Sequence, residues 1–313
     1  MPPLLNIPAR PTDLEAAQRA GQLLLRWTWP AQTTEGFPIK DLDRVEVWGL
    51  EAEGELPGVE AFQSRARRLA VLEPPSLARH RAGERMELRL PLPVTPGHRV
   101  AVAVKNVNRR GRSEGFSNLA MIEIASAPAA PESLRAVAQA NAIRLEWSEV
   151  PGADGYRLYR STGENPAFAL LASVSKPPLD DPDFSWGGIY SYFVRAYTAT
   201  SSGLAESADS STAAVVPQDS FPPSPPLGLQ AVAGESAVEL SWIPSPELDA
   251  AGYHVYRSSA GRAPARCNRE LVVAAAFTDR DVRGEQQYSY AVSAVDQKGN
   301  QSAPSVALLV TVR

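Results

Sequence analysis

The chain has 313 residues and a net charge of -4, with 31 Lys and Arg residues against 35 Asp and Glu residues. Hydrophobic residues make up 44% and charged residues 21%, which is typical of a folded soluble protein and unlike a disordered or collagen-like chain. The acidic balance gives no general attraction for nucleic acid, so we expect no nucleic-acid partner. No stretch of sequence approaches the roughly 18 to 20 apolar residues of a membrane helix.

The cysteine content limits the kinds of site that the chain can form, and the first residues bear on the compartment in which it works. Cys267 is the only cysteine, which excludes an internal disulfide framework and any site built from several thiolates. Arg266 and Arg269 flank it and could lower the pKa of the thiol; a lone thiol without a chemical role is the alternative. The first residues form neither a charged leader nor an apolar signal core. Either the protein stays inside the cell, or a removed signal segment precedes Met1.

A proline frame occurs three times along the chain, and each copy is followed by a Leu-x-Trp segment. Its members are Pro8, Pro11 and Leu14, then Pro128, Pro131 and Leu134, then Pro223, Pro226 and Leu229. Trp27, Trp147 and Trp242 each lie 13 residues after the leucine of their copy. The spacing predicts three domains at 1–127, 128–217 and 218–313, with net charges of +2, -4 and -2.

The first domain contains an insertion. Residues 44–48 and 98–104 alternate in polarity and predict strands. The distance from Trp48 to His98 is about 18 or 19 residues longer than in the later domains, which places an insertion at about 51–83. Within it, Phe62, Ala66, Leu69 and Ala70 recur at helical spacing and predict a short amphipathic helix. This helix is either a docking element or a lid over the sandwich edge.

A basic loop follows the late strand of the first domain, at residues 106–113. Arg109, Arg110 and Arg112 in this loop could clamp an acidic partner, a sulfated sugar or a lipid headgroup through charge-assisted hydrogen bonds. A solvated hairpin tip is the alternative. The loop contains no Arg-Gly-Asp sequence that would favour integrin-type adhesion.

The second and third domains share two further strand patterns. Residues 156–160 correspond to 253–257, and residues 190–196 correspond to 288–294. In both late segments, strict alternation places Tyr, Tyr, Val and Ala on one buried face. Alternating segments separated by turn residues, without a comparable helical pattern, indicate antiparallel sheets packed as sandwiches.

These motifs together resemble those of fibronectin type III domains. The resemblance covers nearly the whole chain and is strongest over 128–313. It implies three tandem β-sandwiches, each of seven strands in two sheets, with Trp27, Trp147 and Trp242 in the cores. It also implies that Tyr190 and Tyr288 are corner tyrosines whose hydroxyl groups bond nearby backbone, whereas His98 replaces this tyrosine in the first domain.

Aromatic side chains also occur on the opposite face of the second domain. Tyr159, Phe193 and Tyr197 share an outward sheet face if both strands run without a bulge. An exposed aromatic group of this kind marks an interaction surface, or it is covered by a neighbouring domain.

No pattern of residues nominates a catalytic or cofactor site. His80, His98 and His254 have no metal-ligand spacing, and no nucleophile elbow, phosphate loop or dinucleotide fingerprint occurs. Asp180, Asp181 and Asp183 could bind calcium. A shared turn chemistry is the alternative, because Asp279 and Asp281 occupy equivalent positions. We therefore expect a chain that is not an enzyme and takes no cofactor or metal.

The proline-rich links at 126–131 and 221–226 favour extended, semi-rigid spacers, which predicts an elongated series of sandwiches. The leading hypothesis is a monomeric, non-catalytic bacterial binding or scaffold protein of the periplasm or cell surface that contacts protein or polysaccharide. The proline-rich start is similar to bacterial lipoprotein segments, so the expected route to a membrane is a lipid anchor preceding this chain. The alternative is a set of accessory spacer modules of a secreted carbohydrate-active enzyme.

Overall fold

The computed structural model describes residues 6–39, 42–52, 55, 57–259 and 262–313. Residues 53, 54 and 56 of the predicted insertion lie outside this part. The regular structure is almost entirely β, arranged as three successive sandwiches. The longest helix among the described residues has seven residues, so none of those described could cross a bilayer, which requires about 20.

The first sandwich packs two sheets around Trp27, which is fully buried. One sheet has the order β4-β3-β7-β8, and β1, β2, β6 and β5 pair in sequence in the other. In chain order the elements are β1 (Glu15–Arg19), β2 (Gln22–Thr28), β3 (Leu42–Ala52), α1 (Val59–Arg65), β4 (Arg67–Leu72), α2 (Pro74–Leu77), a 3-10 turn (Ala78–His80), β5 (Arg81–Ala82), β6 (Arg85–Pro91), β7 (Arg99–Asn108) and β8 (Ala120–Glu123).

The predicted amphipathic helix exists but is shorter than its apolar pattern indicates. Helix α1 ends at Arg65, and Leu69 and Ala70 lie in β4, where they pack on the main core. The helical assignment of these two residues is therefore wrong, because pairing of β4 with β3 overrides the local spacing. Phe62 is fully buried on the outer face of the β3–β7 sheet, against Ala101 and Ala103. The helix thus acts as a lid over a sheet face.

The second sandwich surrounds Trp147, whose exposed fraction is 6%. Its smaller sheet has the order β13-β10-β9, and β12, β11, β14, β15 and β16 form its share of the larger sheet. The strands are β9 (Arg135–Ala138), β10 (Ile143–Glu146), β11 (Gly155–Thr162), β12 (Ala169–Val174), β13 (Leu179–Asp181), β14 (Tyr190–Thr200), β15 (Gly203–Glu206) and β16 (Ala213–Val215).

The third sandwich surrounds Trp242, whose exposed fraction is 5%. Its sheets have the orders β17-β18-β21 and β20-β19-β22-β23. The strands are β17 (Leu227–Ala233), β18 (Val238–Ile243), β19 (Ala250–Ser259), β20 (Ala265–Arg266), β21 (Ala276–Asp279), β22 (Gln287–Asp296) and β23 (Leu308–Thr311). Seven strands in sheets of three and four are what the resemblance to fibronectin type III domains implies, whereas the first and second sandwiches have eight strands each. The predicted fold class is confirmed.

The corner tyrosines occupy equivalent positions in the last two sandwiches. Tyr190 and Tyr288 are buried, and their hydroxyl oxygens accept hydrogen bonds from the backbone N–H groups of Ser185 (2.8 Å) and Arg283 (3.1 Å). His98, at the matching position of the first sandwich, is half exposed and pairs with Glu51. It therefore does not replace the buried tyrosine as a core group.

The first two sandwiches are joined by one continuous sheet. Strand β1 of the first pairs in parallel with β15 of the second, with Gln18 opposite Ala205 and Arg19 opposite Glu206. The chain accordingly forms two compact units, one from the described part of Met1–Ala138 with Ala142–Val216 and one from Gln139–Asn141 with Pro217–Arg313. This pairing departs from the expectation of a proline spacer between every pair of sandwiches. The three domain boundaries themselves remain a prediction.

The proline frame is part of the sandwiches. Pro11, Pro131 and Pro226, the second proline of each copy, are all buried. The leucine that follows packs on the core of its own sandwich in each case. The frame therefore seals one end of each core, since proline can pack there without leaving a backbone N–H group unpaired.

Candidate functional site

The predicted basic loop is a tight, well-supported turn between β7 and β8. The side-chain oxygen of Asn108 accepts hydrogen bonds from the backbone N–H groups of Arg110 (3.0 Å) and Arg112 (2.9 Å). Arg109, Arg110 and Arg112 are exposed, and none of them forms an ion pair with a described residue. The loop therefore presents three exposed guanidinium groups, unpaired with any carboxylate of the described residues, on a fixed backbone, which suits contact with an acidic group.

The same turn occurs in the third sandwich with a different charge. Asp296 accepts hydrogen bonds from the backbone N–H groups of Lys298 and Asn300, each at 2.8 Å. Gly111 and Gly299 hold the same place in the two turns, with φ of 72° and 87°, values that favour glycine. The turn geometry is thus a feature of the fold, whereas the arginines are particular to the first sandwich.

The predicted aromatic face of the second sandwich is largely covered. Tyr159 and Phe193 stack with ring centroids 4.7 Å apart, and the guanidinium carbon of Arg195 lies 4.3 and 4.8 Å from the two centroids. Phe193 is only 7% exposed, and Tyr159 is half-buried. Tyr197 is also half-buried, and its hydroxyl oxygen lies so close to Gly155 that a Cβ atom there would be 2.4 Å away. This surface is a packed layer capped by an arginine.

Glu206 links that layer to the first sandwich. Its carboxylate accepts hydrogen bonds from Arg157 (2.9 Å) and Arg195 (3.1 Å), and Arg19 of the first sandwich lies 3.9 Å away. The Glu206 side chain is 9% exposed, so these contacts are sheltered from water. The role of Glu206 as a shared partner could not be recognised from the sequence, because the three arginines around it lie on three different strands.

The predicted aspartate pairs serve a structural network in both later sandwiches. Arg160 donates hydrogen bonds to Asp181 (3.0 Å) and Asp183 (2.9 Å), and the Tyr192 hydroxyl donates to Asp181 (2.9 Å). Burial, followed by this hydrogen bond, raises the pKa of Tyr192. In the third sandwich the same contacts join Arg257, Asp279, Asp281 and Tyr290. The buried carboxylates are thus occupied by arginine and tyrosine, which favours shared turn chemistry over calcium.

The candidate reactive groups do not form a catalytic arrangement. Cys267 is half-buried against the core of the third sandwich, and this burial raises the pKa of its thiol to about 11, so the expected alternative of a lowered pKa is wrong. The described histidines join no cluster of potential metal ligands. His80 ends the 3-10 turn, and burial followed by the charge of Arg266 lowers the pKa of His254 in β19.

One group of carboxylates could hold a metal ion on distance alone. Single oxygen atoms of Asp219, Asp249 and Asp296 lie within 4.8 Å of one another. The oxygens of Asp296 already accept hydrogen bonds within their own turn, including one from the Asn300 side chain at 2.8 Å. This grouping could not be recognised from the sequence, because the three residues are far apart in the chain.

A pocket of about 540 Å³ lies beside the insertion in the first sandwich. The described lining residues are Trp29, Leu42, Pro74, Leu77, Ala78, Arg81 and Gly83. The Arg81 guanidinium carbon lies 4.9 Å from the centroid of a Trp29 ring, and its Nε atom donates to the carbonyl oxygen of Gly83. None of these lining residues is a carboxylate, a histidine or a cysteine, so the described lining offers no general acid or base.

Comparison with known proteins gives matches to parts of large enzymes. The chain is 28% identical over 200 residues to Exoglucanase B from Cellulomonas fimi, a segment that covers 60% of this chain and 17% of that protein. It is 37% identical over 89 residues to Amylopullulanase from Thermoanaerobacterium saccharolyticum, which covers 28% of this chain and 7% of that protein. The chain thus spans less than a fifth of either relative. No protein-family model matches it.

A solved structure of the chicken CNTN1 FN1-FN3 domains aligns with 98% of this chain and 99% of its own, at 15% identity and a TM-score of 0.30. The assignment of fibronectin type III sandwiches therefore rests on the sheet orders and corner contacts described above. The corner contact occurs in the second and third sandwiches, and sheets of three and four strands occur in the third.

Proposed function

We propose that this chain is a non-catalytic accessory region of an extracellular bacterial enzyme that acts on a polysaccharide. The observation that carries the proposal is the extent of the matches. An 89-residue match has the length of one predicted sandwich, and a 200-residue match approaches two, yet each is a small fraction of an enzyme named for a glucan or pullulan substrate. Regions shared in this way suit modules that accompany a catalytic domain.

The internal contacts of the sandwiches support a role without catalysis. Three of the five buried carboxylates among the described residues, Asp181, Asp279 and Glu206, are each held by arginine and by a tyrosine hydroxyl. The other two, Glu46 and Asp296, also accept hydrogen bonds within the protein. Groups saturated in this way are unavailable as general acids or bases in the folded state. The network instead links strands within the second and third sandwiches, which suits a region that holds other domains at a set distance.

The partners follow from this proposal. As a spacer, the chain works as a monomer outside the cytoplasm, is not retained on polysaccharide by itself and does not bind nucleic acid. Direct contact with polysaccharide or protein, and a lipid anchor ahead of the chain, belong to a second candidate, a cell-surface or periplasmic scaffold. That candidate is favoured by the three exposed guanidinium groups of the β7–β8 turn, because a pure spacer has no need of an arginine cluster on a rigid loop.

The gene and a binding assay test the two candidates. We expect the full reading frame to encode a polysaccharide hydrolase domain beside this chain; a frame with an anchor signal and no such domain would contradict the proposal. Co-sedimentation with insoluble cellulose and starch should show no retention by a spacer. Retention that is lost in Arg109→Ala/Arg110→Ala/Arg112→Ala would favour the binding scaffold.

A matched control accompanies the loop variant. Arg262, Arg269 and Arg280 are exposed on the third sandwich and form no ion pair with a described residue. Changing these three to Ala removes the same charge at another place. Loss of retention in both triple variants would indicate general electrostatic adsorption, which depends on net charge and weakens with added salt.

A further inference from the structure

A cleft of about 260 Å³ lies where the sheet passes from the first sandwich to the second. Its floor is the parallel pairing of β1 with β15, and its described lining includes Arg19, Arg26, Arg157, Tyr159 and Glu206. The volume is smaller than that of typical pockets for drug-sized ligands and suits a small group. The cleft is separate from the basic β7–β8 turn and from the pocket beside the insertion.

Positive charge exceeds negative charge around this cleft. Three lining arginines face a single lining carboxylate, that of Glu206, which also holds Arg195. Arg26 and Arg89 share a second carboxylate, Glu87, and Arg195 also pairs with Asp209. Five guanidinium groups therefore share three carboxylates, which leaves a local excess of two positive charges.

Arg19 is the least satisfied of these groups. Its side chain is only 17% exposed, and its closest charged contact, from Nε to Glu206, is 3.9 Å long. It donates no hydrogen bond to any described residue, and its Nε atom is buried without a partner. Burial, and then the charge of Arg195, lower the pKa of Arg19. A buried Nε–H group without an acceptor destabilises the fold.

The third sandwich lacks this arrangement, although its fold is the same. Positions equivalent to Arg157, Arg195 and Glu206 carry His254, Ser293 and Gln301. The Gln301 amide donates to the Tyr256 hydroxyl (2.6 Å) and the Ser293 hydroxyl (2.8 Å), which makes a neutral, satisfied surface. The arginine cluster is therefore not required by the sandwich fold.

We propose that the cleft between β1 and β15 binds an oxyanion, with Arg19, Arg26 and Arg157 as its ligands. An oxyanion in the cleft accepts hydrogen bonds from the lining guanidinium groups and neutralises the excess charge, whereas a water molecule supplies acceptors alone. A planar guanidinium group can donate two parallel hydrogen bonds to two oxygens of one sulfate, phosphate or carboxylate group. The group is either a free inorganic ion or the anionic substituent of an acidic sugar. This inference does not depend on the proposed accessory role.

The test follows the Nε–H resonance of Arg19 and the backbone amide of Gly203, another lining residue, by ¹⁵N–¹H NMR. Sodium sulfate is added to the full chain against sodium chloride at equal ionic strength. We expect saturable shifts with sulfate and none with chloride. A linear response to both salts would overturn the proposal, since it indicates screening alone.

Variants separate a site from a general charge effect. Arg26→Gln leaves the Glu206 contacts in place and should weaken sulfate binding roughly tenfold, because one charge-assisted hydrogen bond is lost. Arg19→Gln should abolish saturation at the Gly203 amide. The matched control is Arg144→Gln: Arg144 is 35% exposed, similar to 40% for Arg26, and lies in β10 with its own acidic partners. Equal affinities in all three variants would contradict the assignment.

A second titration with sodium glucuronate identifies the source of the anion. Saturation by sulfate alone assigns the cleft to a free inorganic ion. Saturation by both assigns it to the anionic group of a sugar. Saturation by neither overturns the proposal and leaves the proposed accessory function unaffected, because that function rests on the enzyme matches.

Discussion

The second and third sandwiches have the same internal contacts but different outer surfaces. Both hold a buried aspartate between an arginine and a tyrosine, and both seal their cores with a tryptophan and a corner tyrosine. On the outer face of the larger sheet, however, the second places a charged network that reaches β1 of the first sandwich, and the third places neutral amide and hydroxyl groups. The fold therefore preserves the corner and leaves the face free to change.

In the first sandwich, the equivalent sheet face is covered in a third way. Helix α1 inserts Phe62 over Ala101 and Ala103, and the ring of Phe62 meets Phe116 edge-on at 5.3 Å. One sheet face is thus covered by a lid, the next by an arginine layer and the last by small polar groups. Each solution fits the residues of the two central strands: alanine leaves space for a lid, whereas Phe193 and Arg195 fill that space themselves.

The largest expected effect is on the shared corner. Asp181→Ala and Asp279→Ala should each destabilise their own sandwich by about 3 to 5 kcal/mol, because each leaves a sheltered arginine and a tyrosine hydroxyl without their acceptor. Hydrogen–deuterium exchange, analysed separately for the amides of each sandwich, measures this loss of stability. The controls Asp183→Ala and Asp281→Ala remove exposed partners of the same arginines and should cost about 1 kcal/mol or less. If Asp279→Ala destabilised its sandwich much less than Asp181→Ala does, the two corners would not be equivalent.

A smaller effect is expected where the two sandwiches differ. Glu206→Gln should destabilise the junction between β1 and β15 by about 2 to 3 kcal/mol, since two charge-assisted hydrogen bonds lose their acceptor charge. Amide exchange in β1 and β15 should accelerate, while that in the third sandwich stays constant. The reciprocal variant Gln301→Glu supplies the control. If it accelerated exchange in β19 and β22 to the same degree, the junction would not be the cause.

The smallest effect concerns how each proline-rich segment is tied to its sandwich. In the second, the backbone N–H of Ser148 donates to the backbone carbonyl oxygen at residue 132, an acceptor that carries no titratable proton. In the third, Glu247 accepts hydrogen bonds from the Ser224 N–H (3.0 Å) and the Ser245 hydroxyl (2.6 Å). Burial raises the pKa of Glu247, but the hydrogen bonds lower it by more, so that the pKa falls from 4.5 to about 2.

Because the folded pKa is lowered, this contribution to stability is fully present above about pH 4.5 and disappears as the pH falls towards 2. The Ser224 amide resonance should therefore titrate with a midpoint near 2, and that of Ser148 should not. In Glu247→Gln the Ser224 titration should disappear. A Ser224 midpoint near 4.5 would show that the hydrogen bonds do not persist in solution.

Much of the fold was predictable because its signals are local. The 13-residue interval from leucine to tryptophan and the alternation of residues 190–196 identify strands without knowledge of their partners. The limits of α1 were not predictable in this way, because Leu69 and Ala70 fit a helical pattern and are placed in β4 by pairing with β3. The alternative to an exposed face at Tyr159 and Phe193 was cover by a neighbouring domain, whereas the cover comes from Arg195 of the same sandwich.

The number of sandwiches, their class and the tryptophan at each core can be read from the residues alone, since these follow from spacing and from the two-residue period of a strand. The pairing of β1 with β15 is visible only in the folded chain, where it brings Arg19 beside Glu206 across nearly two hundred residues. Pairing of this kind depends on which sheet edges meet, and it brings together charges whose separation along the chain carries no signal. The oxyanion cleft arises from that meeting of edges.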